Sequence, residues 1–293
     1  MTPRSAIGAL AGAFGVVVGV VGCAAIAAAV LVALGLPAQG RAEDGPPPAP
    51  VPEPRPSALV VALDLRDPVR QAGVVKGGEV ILARGLEVDI AREVARRVGV
   101  PKVRFVYVRP VSRLLASEAP SWHLGIASIR VTPTAAAAAD LSDPYLGTDQ
   151  AVVLRRGLPR LGTLRELGTL QSCALRGSDG SRALATLVST ASAPILPTSP
   201  ERLFQLVQTG VCDAALVDAD EVGRFVAGRG GLLGPVSARV EFGTGYVVSI
   251  TRGGPIVAAE VGRALRRMRA DGTMHRLTRT WLQIDPARLR VLR

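Results

Sequence analysis

The stretch Gly85–Val108, GLEVDIAREVARRVGVPKVRFVYV, decides the fold class. Ile90, Ala91, Val94, Ala95 and Val98 recur at helical spacing, and Gly99 ends the helix. Val103–Val108 follows as a run that reads as a strand. On the N-terminal side, Ala58–Leu65 (ALVVALDL) is a short apolar run suited to a buried strand. Between them, 67–84 is rich in glycine and charge and reads as loop, with a hairpin at Val74–Leu82 around Gly77-Gly78. On the C-terminal side, SRLLAS (112–117) opens a short helix and HLGIASIRV (123–131) is a second strand. Alternating strand and helix predicts a doubly wound α/β lobe.

The pattern then repeats. Strands are predicted at 151–157, 170–177, 193–197, 212–218 and 245–253. Helices are predicted at 180–189, at 199–210 with Ser199 as N-cap and Gly210 as stop, at 219–230, and at 255–272, where Val257, Val261, Leu265 and Met268 share a face. The simplest account is an α/β chain of two lobes, the first built from 58–150 and completed by a return at 245–293, the second from 151–244.

The 293 residues allow about two domains. An apolar fraction of 48% with 20% charged residues predicts that most of the chain folds. The net charge of +11 is nearly all arginine, because Lys76 and Lys102 are the only lysines. Nucleic acid is not expected as a partner: there is no dense basic run, no zinc-ligand spacing and no interleaving of basic with aromatic residues. Ala6–Ala38 carries no charge and follows Arg4, so 1–42 reads as a signal peptide or a membrane anchor. Val20-Val21-Gly22-Cys23 looks like a lipobox with Cys23 as the lipidated residue, although the apolar run continues to Leu36, so lipoprotein, retained anchor and cleaved signal all stay open. Each places the remainder outside the cytoplasmic membrane, secreted or held by a helix or lipid. The segment 43–57 contains GPPPAPVPEPRPS, a proline-rich spacer. Two further cysteines, Cys173 and Cys212, in an exported domain predict one disulfide, the alternative being two buried thiols.

Five stretches together carry a resemblance. GLEVDIAREVARRVGV resembles a Gly-Phe-Asp-Val-Asp-Leu helix start, with Asp89 in place, and VTPT…DLSDPYL resembles Thr-Pro-x-Arg followed by Phe-Ser-x-Pro-Tyr. CALRGSDGSRAL is similar to a second-lobe Gly-Thr-Thr loop, LVQTGVCDAALVDADEV to Leu-x-x-Gly-x-x-Asp-Ala-x-x-x-Asp, and LRRMRADGTMHRLTRTWL to a closing Leu-x-x-Gly-Thr…Trp signature. From about Leu59 to Ile284 the chain resembles the extracytoplasmic solute-binding proteins, family 3, that serve amino-acid ABC transporters. The resemblance implies a type II periplasmic-binding-protein fold: two doubly wound lobes joined by a hinge of two crossing strands, closing on a small ligand.

It also implies a chemistry. A free amino acid carries a carboxylate and an ammonium, and burying both is costly unless each is paired. The family meets the carboxylate with an arginine fork and the ammonium with an aspartate from the opposite lobe. Carried over by position, Asp218 is the ammonium partner, or else a carboxylate that caps the next helix. Gly177 and Ser178 form the second-lobe loop, and Asp179 departs from the usual hydroxyl residue. Ser128 and Thr132 match the small ligand-facing positions. The arginine of Thr-Pro-x-Arg is replaced by Ala135, within the run Ala135–Ala139. Strand alternation keeps Arg130 on the side of Ser128 and Thr132. Arg130 therefore either replaces the lost arginine, or it fills the pocket or pairs with Asp179 or Asp218 and leaves no amino-acid site. Asp64–Val75 has no aromatic, where the family often has one over the ligand; Trp122 and Tyr145 read mainly as packing. The same topology makes the strand of Cys173 a neighbour of the approach to Asp213, so Cys173–Cys212 is a feasible bridge.

His123 and His275 are the only histidines and have no visible nucleophile or metal partner. No enzyme activity, cofactor or metal is expected. The expected partners are a small ligand, an amino acid or a similar zwitterionic or cationic solute, and the permease of an ABC transporter, with the protein a monomer. The alternative is a membrane-tethered sensor or accessory protein whose ligand site is altered or lost.

Overall fold

The computed structural model describes residues 54–115, 120–227, 229 and 231–293. The apolar run, Cys23 and the spacer up to residue 53 lie outside the described residues.

The larger sheet has seven strands among the described residues: β1 (Leu59–Leu63), β2 (Ala72–Lys76), β3 (Glu79–Arg84), β4 (Val103–Tyr107), β5 (Leu124–Arg130), β6 (Asp140–Leu141) and β11 (Tyr246–Ile250), in the order β2-β3-β4-β1-β5-β11-β6. β1 runs parallel to β4 and β5, with Leu59 opposite Val103 and Val61 opposite Leu124. All of β1 is buried. Leu59, Val61 and Leu63 face one core, Val60 and Ala62 another. This is why a central parallel strand reads as a continuous apolar run rather than an alternating one.

The first core is closed by helices α1 (Leu86–Arg97), α7 (Ala258–Ala270) and α8 (Thr273–Leu282), through Ile90 and Val94, Val261 and Leu265, and Met274 and Leu282. Two of the quoted motifs meet here: the Trp281 indole N–H donates to Asp89 Oδ2 at 2.9 Å. The second core holds Val108, Leu114, Trp122 and Ile129.

The smaller sheet comprises β7 (Gln150–Leu154), β8 (Ser172–Ala174), β9 (Ala214–Asp218) and β10 (Val236–Val240), in the order β10-β7-β9-β8. Helices α3 (Leu164–Gly168) and α4 (Asp179–Leu187) cover one face, with Leu167 and Leu184 packed under Val152 and Leu154. Helices α5 (Pro200–Gln208) and α6 (Val222–Val226) cover the other, with Leu203, Val207 and Phe225 against Ala151 and Val153.

The chain crosses between sheets at 142–149 and 241–245, and passes back to the smaller sheet after α8. The crossings are tied together: Thr148 Oγ1 donates to Phe242 O at 2.9 Å, and Leu146 bridges to Tyr246. Gly245 has φ +90, and a Cβ there would meet Leu146 O, so this close crossing requires glycine.

Several expectations are corrected. The predicted strand at 193–197 is a single bridge, Ile195 to Cys173, because Pro194 and Pro197 bound it. The helix at 219–230 shortens to α6. The described part of SRLLAS, 112–115, lies in a 3₁₀ turn, Val111–Leu115. β6, β10 and α3 were not predicted. The alanine run forms helix α2 (Pro133–Ala138), with Pro133 in its first turn and Thr132 as N-cap. The return segment is not wholly part of the first lobe: Ile284, Leu289 and Leu292 pack in the smaller sheet's cores, and Arg239 N donates to Arg290 O at 2.7 Å.

Cys173 in β8 and Cys212 before β9 are joined by a disulfide, with Cα atoms 6.0 Å apart. The link closes 39 residues of chain. Chain entropy assigns such a loop about 4 kcal/mol. Replacing both cysteines by alanine should lower stability by about 2–4 kcal/mol, read as an earlier loss of far-ultraviolet circular dichroism in urea.

Candidate functional site

The first lobe presents its site from the β1–β2 loop, the start of α1 and the end of β5. Glu87, in the first turn of α1, is 1% exposed. Its Oε1 accepts from Ser128 N at 2.9 Å, Ser128 Oγ at 2.7 Å and the Tyr145 hydroxyl at 2.5 Å. Its Oε2 accepts from the Gln71 amide, whose own oxygen accepts from Asp64 N and Leu65 N at 2.9 and 3.0 Å. One buried carboxylate thus fixes a helix, a loop and a strand. Burial, and then the neighbouring carboxylate, push the Tyr145 hydroxyl pKa well above its usual value, so it stays a donor.

Ser128 has φ +49 and lies where the β5–β11 register shifts. The bulge breaks the simple alternation expected for Ser128, Arg130 and Thr132. Ser128 still faces the cleft. The Thr132 hydroxyl accepts from Ala135 N at 3.0 Å and caps α2. Ala135 is buried and places no charge on this turn.

Arg70 enters the same space from the β1–β2 loop, where an aromatic was sought. It is 7% exposed, donates to Ser128 Oγ, and its guanidinium carbon lies 4.7 Å from the Tyr246 ring centre. Tyr246, in β11, is the aromatic that meets the charges here. Trp122 and Tyr145 pack internally, as their reading foresaw, with Tyr145 6.4 Å from Tyr246.

The second lobe answers with carboxylates. Asp220, in the turn between β9 and α6, is 3% exposed and pairs with Arg70 across the cleft. Burial pushes the Asp220 carboxyl up to about 6, and Arg70 only partly opposes this. Burial works against the Arg70 charge too, but Asp220 and the surrounding groups keep its pKa raised. Asp218, at the end of β9, is half-buried and accepts from the Gln150 amide at 2.8 Å; no cation pairs with it among the described residues.

Asp179 opens α4 and is 5% exposed; Arg130 Nη1 lies 2.5 Å from its Oδ2, and Arg182 also pairs with it. The pairing of Arg130 with Asp179 is the second of the two alternatives drawn from the sequence. Arg130 also lies 5.5 Å from the Tyr246 ring centre. Gly177 has φ +74, and Ser178 Oγ accepts from Ser181 N at 3.2 Å as the α4 cap. A third cross-lobe pair joins Arg224 to Asp67 at 3.3 Å.

Two cavities flank these residues. One, of about 240 Å³, is lined by Asp64, Arg66, Arg70, Gln71, Ser128 and Tyr246. The other, of about 210 Å³, has apolar walls from Leu175, Leu203, Leu216 and Phe225, with Ser178 and Asp218 on its lining. Glu221 lines both. Of the expected residues, Ser128, Arg130, Asp179 and Asp218 meet near the cleft, Ser178 reaches the second cavity, and Gly177 supplies the bend beside it. Arg70, Asp220, Glu87 and Tyr246 were missed. Asp220 had a signal, since it lies two residues beyond Asp218; a lone arginine in an irregular loop has none.

Two lobes, two crossings and opposed charges define a ligand-capturing clamp. Residues 79–284 match the bacterial extracellular solute-binding proteins, family 3, and the chain belongs to this family. It is 22% identical over 222 residues to the ABC transporter glutamine-binding protein GlnH of Bacillus subtilis (strain 168), covering 69% of this chain and 74% of that protein. The second substrate-binding domain of a putative amino acid ABC transporter from Streptococcus pneumoniae is similar in fold, at 15% identity and a TM-score of 0.62, over 76% of this chain and 99% of that one. An ancestral cyclohexadienyl dehydratase is similar in fold too, at 20% identity and a TM-score of 0.60, over 78% and 93%. Family membership favours solute binding over the sensor or accessory alternative.

Glu87→Gln replaces an acceptor-only group with one that must turn an N–H₂ toward existing donors. It should cost about 2–3 kcal/mol, the scale of a hydrogen bond to a charged group. Tyr145→Phe should cost about 1 kcal/mol; urea denaturation measures both.

Proposed function

We propose that this protein captures a free amino acid, or a similar small zwitterion, between its lobes and presents the closed form to the permease of an ABC transporter. One observation carries the reading: guanidinium groups on the first lobe, Arg70 and Arg130, face carboxylates on the second, Asp179, Asp218 and Asp220. A ligand bearing one charge of each sign complements both faces when the lobes close on it. Asp218, held by a neutral amide, is available to the ammonium group. Ser128 and Ser178 supply hydroxyls on opposite lobes.

The protein acts as a monomer outside the cytoplasmic membrane, secreted or held there by an N-terminal helix or lipid, with no part for nucleic acid. Binding, not catalysis, is its task. His123 Nδ1 accepts from Val60 N at 2.9 Å, and burial lowers its pKa, which suits a neutral structural acceptor. His275 is engaged by Asp285 at 2.6 Å.

Screening the purified chain against the standard amino acids by thermal shift tests this reading. A true ligand at 100 times its dissociation constant should stabilise the protein by about 2.7 kcal/mol. Asp218→Asn should then weaken that ligand by about ten- to a hundredfold in calorimetry, the scale of one charged hydrogen bond. No shift with any amino acid would overturn the reading.

A further inference from the structure

The arginine expected after Thr-Pro is Ala135, and Arg130, its nearest substitute in sequence, is occupied at the rim by Asp179, with 44% of its side chain exposed. Arg70 is different. It is buried in the cleft, aligned by the Tyr246 ring and the Ser128 hydroxyl, and its remaining bonds go to carboxylates. Nε lies 3.4 Å from Asp67 Oδ2 in its own lobe, and Nη2 meets Asp220 from the other lobe. Asp220 therefore occupies Arg70 as an incoming carboxylate would: an oxygen anion from across the cleft, on the outer edge of a guanidinium fork.

We infer that Arg70 is the carboxylate-binding arginine of this protein and that Asp220 is an internal stand-in which the ligand's carboxylate displaces. The inference rests on the amino-acid reading and adds the residue that holds the acid and the competitor that must leave. A ligand can offer both oxygens to the fork, whereas Asp220 reaches it with one. Exchanging one buried carboxylate for another leaves the guanidinium neutralised throughout, so no unpaired charge is created there. Asp220 is also a weak holder. Burial, and then the charges of Asp218 and Glu221, disfavour its charged form, and its carboxyl sits at about 6 beside Arg70. Departure from the fork is thus opposed less than for an ordinary salt-bridged aspartate. The device sets an affinity threshold: a ligand must compete with a carboxylate already in place, and an amine without an acid group has nothing to exchange.

Calorimetry on the full chain decides this, using any standard amino acid that binds and its methyl ester, which keeps the ammonium and lacks the acid. Arg70→Lys should weaken the free amino acid at least tenfold and change the ester less than threefold. Asp220→Asn should tighten the free amino acid about tenfold and leave the ester unchanged. Because the two variants move affinity in opposite directions, a shared folding defect cannot imitate the result. Unchanged affinity in Arg70→Lys, or weaker binding by Asp220→Asn, overturns it. If Arg130→Ala alone removes affinity, the acid belongs to Arg130; this proposal falls and the amino-acid reading stands. If no amino acid binds the wild type or Asp220→Asn, both fall.

Discussion

A guanidinium taken out of water has to be neutralised nearby, because the interior offers little screening and few spare acceptors. Arg70 meets that requirement chiefly across the cleft, through Asp220, with Asp67 of its own lobe at 3.4 Å, and much of the site follows. Asp220 must come from the turn after β9, so the smaller sheet has to face the larger one at that point. Ser128 and Tyr246 must sit beneath the fork, which fixes the bulge in β5 and the start of β11. Glu87 then holds Ser128 from behind. The cleft is an electrostatic joint whose halves lie on different sheets, and the same pairing that organises it makes it competent to receive a charged guest.

The joint can move only if the chain between the sheets bends without losing its own bonds. The crossings at 142–149 and 241–245 are bound to each other through Thr148 and Phe242, and Leu146 bridges to Tyr246 at the start of β11. Flexing them as a pair keeps those contacts while the two sheets change their angle. This is the behaviour of a hinge in which a few element-terminal residues absorb the dihedral change.

Much of this was legible in the sequence because it depends on periodicity. The helix at 86–97, the buried β1, the return strand at 246–250 and the helix at 258–270 all lie where spacing and apolar runs put them. The disulfide was legible as two cysteines outside the N-terminal segment. What stayed hidden depends on long-range pairing. β10 is held by β7 and by residues beyond α8, so its local pattern is weak. Thr132 looked like a ligand group but serves a helix that the alanine run makes possible, alanine being the best helix former. Arg70 has no signature in the sequence, because the aromatic ring that the resemblance places in this loop comes from β11 and the loop supplies the cation instead. Arg130 shows the limit from the other side: both of its fates were foreseeable, and only three-dimensional proximity to Asp179 separates them.

The smaller lobe is not finished by its own stretch of sequence. Arg239 is bonded on both sides by backbone from beyond α8, giving its N–H to Arg290 and taking one from Leu292, while Leu292 fills the core beneath Val152 and Leu154. As the chain emerges from a ribosome or translocon, β7 to β10 appear well before these residues. The carboxylate-bearing half of the clamp therefore gains its last edge contacts only after the larger lobe's closing helices have been made. The two walls of the charged cleft are thus completed by neighbouring stretches of chain, one by the closing helices and the other by the residues just beyond them.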